Sequence, residues 1–197
     1  MKKGNRVEEK RDENVWNIPN TLTFLRVLLT FVTIYLIFSG YDLKLVAAFF
    51  IVGMLTDFFD GQIARRFNQK TEFGRKFDMV ADRFLMVGVV LGIIIDLILD
   101  GSLTRYYVLQ IFLIMSREII GLPIAIVAIA SGKMIPHARF VGKLTTCLQG
   151  ITFPLIILNI QYPIFGFSIY FSLITSIVGL ISGFAYITDV ILMSEKK

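Results

Sequence analysis

Six long apolar stretches run through this chain, over Leu22 to Ser39, Leu43 to Leu55, Met79 to Leu99, Tyr106 to Ala130, Leu144 to Ile160 and Pro163 to Met193. Crossing the hydrocarbon of a bilayer takes about 20 apolar residues in a helix, a form in which a lipid-exposed backbone satisfies its own amides. The pattern predicts an all-α integral membrane protein with six transmembrane helices. A hydrophobic share of 55% with only 18% charged residues sets the 197-residue chain apart from soluble domains. The second stretch reaches spanning length only when it is extended through polar residues to Ala64, which puts carboxylates at the membrane end of a helix.

Lys and Arg set the orientation, because cytoplasmic loops retain positive charge. Of 20 such residues, 18 fall in Lys2 to Arg26, Arg65 to Arg83, Arg117 to Lys143 and the terminal Lys196 and Lys197. Only Lys44 and Arg105 remain for the opposite side. Both termini and the loops after the second and fourth helices are therefore expected to face the cytoplasm, in a multi-pass protein of the cytoplasmic membrane. The net charge of +5 belongs mainly to that face, where it favours anionic membrane lipids and phosphate-bearing substrates. Nucleic acid is not an expected partner, because there is no soluble basic domain to carry it. Residues 1–20 read as a charged tail ending in a short interfacial segment at Val15, Trp16 and Ile18, and residues 21–197 as one membrane domain. The tail lacks the apolar run of a cleavable signal. The single Cys147 excludes an intrachain disulfide, and the lone His137, in a Pro-containing loop, is expected to be exposed and without a catalytic part.

The chemistry is concentrated in Asp57-Phe-Phe-Asp60-Gly61-Gln-Ile-Ala64-Arg65 and, eight residues on, Gly74-Arg-Lys-Phe-Asp78-Met-Val-Ala-Asp82. Asp57, Asp60, Gly61 and Ala64 follow i, i+3, i+4, i+7 and share one face of the second helix. Gly74, Asp78 and Asp82 follow i, i+4, i+8 at the start of the third. A short turn around Asn68 to Thr71 makes the two helices antiparallel neighbours whose acidic faces can converge. Four carboxylates in one small volume repel and lose hydration, so they need a cation. Oxygen ligands without sulfur or imidazole point to Mg2+ or Mn2+ rather than Zn2+. Gly61, Ala64 and Gly74 are small on the same faces, which suits close approach of either a helix or a ligand phosphate. Arg65, Arg75 and Arg83 supply the cations a pyrophosphate needs, whereas Arg66 and Lys76 read as orientation charges.

A second polar group lies deeper. Arg117 and Glu118 sit well inside the fourth span, where charge is costly and usually faces a cavity. Adjacent residues point in different directions on a helix, so pairing with each other is the weaker explanation. Arg139, Gly142 and Lys143 form a cationic cluster at the start of the fifth span, beside Thr145 and Thr146. Together with Arg117 this cluster could receive an anionic headgroup.

The acidic stretch, Asp-x2-Asp-Gly-x2-Ala-Arg-x8-Gly-x3-Asp-x3-Asp, resembles the signature of the CDP-alcohol phosphatidyltransferases, with all eight specified positions filled and no spacing error. Six spans are also the number that family has. The resemblance implies a homodimer of six-helix subunits that transfers a phosphatidyl group from CDP-diacylglycerol to an alcohol in phospholipid biosynthesis. By position, Asp57, Asp60 and Asp78 are metal ligands, and Asp82 is the general base that also touches metal. Gly61, Ala64, Arg65 and Gly74 belong to the CDP-lipid site. The flanks Asn17-Ile-Pro-Asn20-x-Leu-Thr-x2-Arg26, Arg117-Glu118 and Gly142-Lys143-x2-Thr146 are similar to the branch that makes phosphatidylglycerophosphate from glycerol 3-phosphate. Members that make cardiolipin from phosphatidylglycerol share much of this pattern, so they are the alternative. Pro123 stands where the glycerol 3-phosphate branch often carries Arg, and Arg139 is the replacement phosphate contact the sequence offers. Pro123 should also kink the fourth helix near Arg117.

Other classes fit less well. An ion-coupled transporter would place Asp and Arg inside its spans, but as inverted repeats or interrupted helices near the midplane, and neither pattern is present. Prenyl-transferring membrane enzymes carry two separated Asp-rich motifs, where this chain has one bipartite motif. A purely structural protein has little use for four convergent carboxylates.

Overall fold

A computed structural model describes residues 17–66, 71–121, 123 and 140–195; within these, the side chains of 58–66 and a few other positions lie outside the description. All its regular structure is helical: α1 (Ile18–Phe38), α2 (Leu43–Arg66), α3 (Glu72–Leu99), α4 (Arg105–Ile114), α5 (Phe140–Gln161), a 3-10 turn (Pro163–Phe165) and α6 (Ser168–Glu195). Among the described residues three helices are long and apolar enough to cross a membrane: α1, α5 and the Ser168–Ala185 part of α6.

The helix boundaries depart from the apolar stretches where capping decides them. Asn17 is extended and its side chain accepts the Asn20 N–H at 2.9 Å, so α1 starts at Ile18 and takes in a residue expected in an interfacial segment. Val15 and Trp16, the rest of that segment, lie outside the described residues. The last stretch opens at Pro163 as a 3-10 turn, and α6 begins only at Ser168. The fourth stretch forms α4, turns at Met115 and is helical again over 116–121; residues 122 and 124–139 lie outside the description, and with them the expected kink at Pro123.

On α1 and α6 the packing is inverted relative to a soluble protein. On α1 the buried face carries Asn20, Thr23, Arg26, Thr30 and Thr33, while Phe24, Leu25, Leu28, Phe31 and Tyr35 are exposed. The hydroxyls of Thr23, Thr30 and Thr33 each donate to the carbonyl four residues back, so little polar capacity is left over. α6 repeats the arrangement, with Ser168, Ser172, Thr175, Ser176 and Ser182 inside and Tyr170, Ile174, Ile177, Ile181 and Phe184 outside. Lipid tails solvate leucine as well as a neighbouring helix does, so small and hydroxyl residues favour the interfaces. Thr152 and Thr175 join α5 to α6 through their hydroxyls at 2.8 Å, and Gln110 of α4 donates to Ser168 of α6 at 2.8 Å.

α1 packs broadly on both α2 and α3, whereas α2 and α3 touch each other little among the described residues. Gly88 and Gly92 permit this. A Cβ at Gly92 would lie 3.3 Å from Ile37 Cδ1, and one at Gly88 would lie 3.4 Å from Ile34 Cδ1. Gly92→Leu should therefore push α1 outward and destabilise the fold by about 1–3 kcal/mol, read as a lower melting temperature in detergent.

An apolar core completes the bundle, built on Val46, Phe50, Leu85, Val89, Ile93, Phe153 and Ile156, with Phe50 and Phe153 edge to face at 4.8 Å. Gly40 (φ 68°) and Gly101 (φ 66°) turn the chain after α1 and α3 in a conformation that favours glycine. Beyond Gly40, the Lys44 backbone N–H and the Tyr162 hydroxyl hold the Asp42 carboxylate below its usual pKa, and Lys44 lies 4.4 Å from the Tyr162 ring centre. This clasp ties the α1–α2 loop to the end of α5.

Candidate active site

The site is organised by α1. Arg26 is the one charged residue on that helix, and its side chain is fully buried. Its Nη1 donates to Asp78 Oδ1 at 2.8 Å, its Nη2 lies 3.3 Å from Asp57 Oδ1, and its Nε reaches Thr56 Oγ1 at 3.4 Å. Thr56 is itself held by the Gly53 carbonyl at 2.6 Å. One guanidinium thus gathers a carboxylate from α2 and a carboxylate from α3. Placing an arginine at the centre of a spanning helix costs about 3 kcal/mol on insertion scales, and two anionic partners offset that cost.

Of the two acidic faces expected to converge, Asp57 and Asp78 are brought to one guanidinium, that of Arg26 on α1. The turn over 67–70 that was expected to bring the two faces together lies outside the described residues; among the described ones, contact between α2 and α3 is sparse and α1 packs against both. Sequence reasoning quoted Arg26 within a flanking pattern and gave it no role. Its signal was available, because a lone charge within an apolar span seldom lacks a function.

Asp57 and Asp78 keep 30% and 42% of their side-chain surface, so the carboxylates lie between the buried guanidinium and an open side. Asp82 is half-buried one turn after Asp78 on α3. Among the described residues, Arg26, Asp78, Arg117 and Arg83 carry charges that act on its carboxylate, and Asp82 in turn acts on Glu118. Asp82 therefore links two polar groups that the sequence left separate. Among the described residues no three acidic, His or Cys side chains form a metal cluster. The side chains of Asp60, Gly61, Ala64 and Arg65 fall outside the described ones, although α2 extends through all four positions.

At the mouth of the site, Thr71 caps α3 by accepting the Gly74 N–H at 2.9 Å. A Cβ on Gly74 would collide with Asn20 Oδ1 and come within 2.8 Å of Thr71 Oγ1. Glycine lets the Asn20 side chain of α1 and the Thr71 cap lie against the first turn of α3, and a larger residue would have to displace both side chains.

Arg117 donates to Thr146 Oγ1 of α5 at 3.0 Å, and its Nη2 lies 3.6 Å from where a Gly142 Cβ would be. Its approach to Glu118 is longer, at 3.9 Å. Glu118 turns the other way and accepts from Gln149 Nε2 at 2.7 Å, the same nitrogen that donates to the Ile114 carbonyl at 3.0 Å. Gln149 therefore takes the carbonyl that an unbroken helix would offer to residue 118, which accounts for the turn at Met115. Lys143 is exposed, and Arg139 and His137 lie outside the described residues. Of the expected acceptor cluster, the structure joins Arg117 to the Gly142–Thr146 face alone.

Comparison with known proteins gives a consistent result. A family model described as CDP-alcohol phosphatidyltransferase matches residues 16–182. A CDP-diacylglycerol–glycerol-3-phosphate 3-phosphatidyltransferase of Rickettsia typhi is 46% identical over 76 residues, 38% of this chain and 42% of that protein. A protein of the same name from Pseudomonas fluorescens is 41% identical over 106 residues, 53% of this chain and 52% of its own length. A Mycobacterium tuberculosis protein named "Probable phosphatidylglycerophosphate synthase" is 32% identical over 153 residues, 75% of this chain and 69% of that one. The chain thus spans about two fifths of the Rickettsia relative, half of the Pseudomonas one and two thirds of the mycobacterial one.

Proposed function

Because this chain belongs to the CDP-alcohol phosphatidyltransferase family, we propose that it transfers a phosphatidyl group from CDP-diacylglycerol to glycerol 3-phosphate, yielding phosphatidylglycerophosphate and CMP. The observation that carries this reading is that Arg26 gathers Asp57 and Asp78 from two helices, with Asp82 one turn after Asp78 on α3 and near enough to Arg117 for their charges to interact. A group that activates an acceptor against a bound donor belongs between the two. The names of the relatives support glycerol 3-phosphate as acceptor.

Asp57, Asp60, Asp78 and Asp82 would hold Mg2+ or Mn2+. The donor set fits a hard cation: it is all oxygen, and two of its carboxylates already face one cationic group with part of their surface open. When bound, such an ion neutralises the pyrophosphate and polarises its phosphoryl oxygens. Asp82 accepts the proton of the acceptor hydroxyl as its oxygen attacks the lipid-linked phosphorus. The bond from that phosphorus to the bridging oxygen breaks, and CMP leaves with the electron pair. Gly61, Ala64, Arg65 and Gly74 line the CDP-lipid site, and Arg117, with Arg139 and Lys143, takes the acceptor phosphate. Six crossings with cytoplasmic termini and a cytoplasm-facing site follow from the distribution of Lys and Arg, and a homodimer from the family likeness.

Offering the purified protein CDP-diacylglycerol with glycerol 3-phosphate, phosphatidylglycerol, inositol phosphate or serine separately tests the acceptor. Phosphatidylglycerophosphate from the first alone is the expected product, and cardiolipin from the second would move the chain to the other branch. Arg117→Ala should raise KM for glycerol 3-phosphate about 10-fold or more, the loss of a charged hydrogen bond, while KM for CDP-diacylglycerol stays near its wild-type value. An equal rise in both would remove Arg117 from the acceptor pocket.

A further inference from the structure

We propose that Arg26 is a positioning residue for the metal site: from behind, it fixes the Asp57 and Asp78 carboxylates at the separation that a divalent cation requires. This rests on the metal-dependent reading above. The argument begins with the helices. α2 and α3 contribute the carboxylates and make little contact with each other among the described residues. α1 packs on both, and Arg26 is the α1 residue whose side chain bonds to both carboxylates.

The guanidinium is rigid and planar, so two of its nitrogens hold two oxygens at a defined spacing, which a flexible ammonium does not do. Thr56, one residue before Asp57, also meets it, with Oγ1 3.4 Å from Nε. Arg26 is fully buried while Asp57 and Asp78 are partly exposed, so it engages them from the protein side and leaves the open side for the ion. Without it, two like charges would separate until hydration screened them, and an arriving cation would have to reassemble its ligands. Asp57 and Asp78 carry two negative charges against the one of Arg26, so this cluster of three keeps a net negative charge for the ion. Positioning therefore outweighs the repulsion between Arg26 and the ion.

Mn2+ titration of the purified full chain in detergent, with free ion followed by electron paramagnetic resonance, reads this without turnover. Arg26→Lys and Arg26→Gln should each weaken Mn2+ binding about 10- to 100-fold, the usual effect of removing a partner that orients metal ligands. Thr56→Val, which leaves the charge in place, should weaken it less. In Arg26→Lys, raising Mn2+ should restore most of kcat, separating a positioning role from a general loss of fold. Unchanged or tighter Mn2+ binding in a monodisperse Arg26→Gln protein would overturn the proposal, and so would wild-type binding in Arg26→Lys if Arg26→Gln fails to fold. Failure of the wild-type chain itself to bind Mn2+ would instead overturn the metal-dependent reading beneath it.

Discussion

Asp82→Asn is expected to bind CDP-diacylglycerol with nearly wild-type affinity and to turn it over about 1000-fold more slowly, within the range that a positioned general base contributes. Asparagine keeps the size and part of the hydrogen bonding of the side chain but has no basic carboxylate. Arg26 grips Asp57 and Asp78, and the substitution leaves both of those contacts in place. Turnover and CDP-lipid binding measured on the same preparation separate the two effects. Wild-type turnover would reject Asp82 as the base, and loss of lipid binding in parallel with turnover would assign it chiefly to the metal.

Asp57→Asn should fail earlier, losing metal-dependent binding of CDP-diacylglycerol by about 100-fold, as expected when a charged ligand to a cation becomes neutral. The substitution also leaves the buried Arg26 with Asp78 as its remaining anionic partner among the contacts described. An imperfectly compensated buried charge is destabilising, so the melting temperature should fall as well. Titrating Mg2+ against CDP-lipid binding distinguishes the outcomes. Wild-type dependence on Mg2+ would remove Asp57 from the metal site.

Much of this molecule was legible in its sequence because the bilayer restricts the choices so strongly. An apolar run of spanning length in lipid becomes a helix, and the i, i+4, i+8 spacing of Gly74, Asp78 and Asp82 aligns them on α3 whatever surrounds it. The acidic motif is local, so its residues were found by inspection. Contacts between helices distant in sequence were not legible in the same way. Arg26 lies 52 residues from Asp78, and no periodicity within either helix says that they meet. Gln149 lies 31 residues from Glu118, and its insertion at the Ile114 carbonyl explains a helix break that the continuous apolar run from Tyr106 concealed. Hydrophobicity was also a poor guide to the packed faces. The buried side of α1 is its polar side, as the solvent properties of lipid require, so the lone Arg and the spaced Thr residues marked the interface better than the Phe and Leu residues did.

The most direct test of the central claim is CMP release from CDP-diacylglycerol by the purified protein with glycerol 3-phosphate present, followed through chelation with EDTA and re-addition of Mg2+. Metal-dependent phosphatidyl transfer predicts that CMP forms in step with phosphatidylglycerophosphate, stops on chelation and resumes when the ion returns. CMP release that ignores both acceptor and chelator would contradict it, as would no CMP with any acceptor in a preparation that does not bind CDP-diacylglycerol.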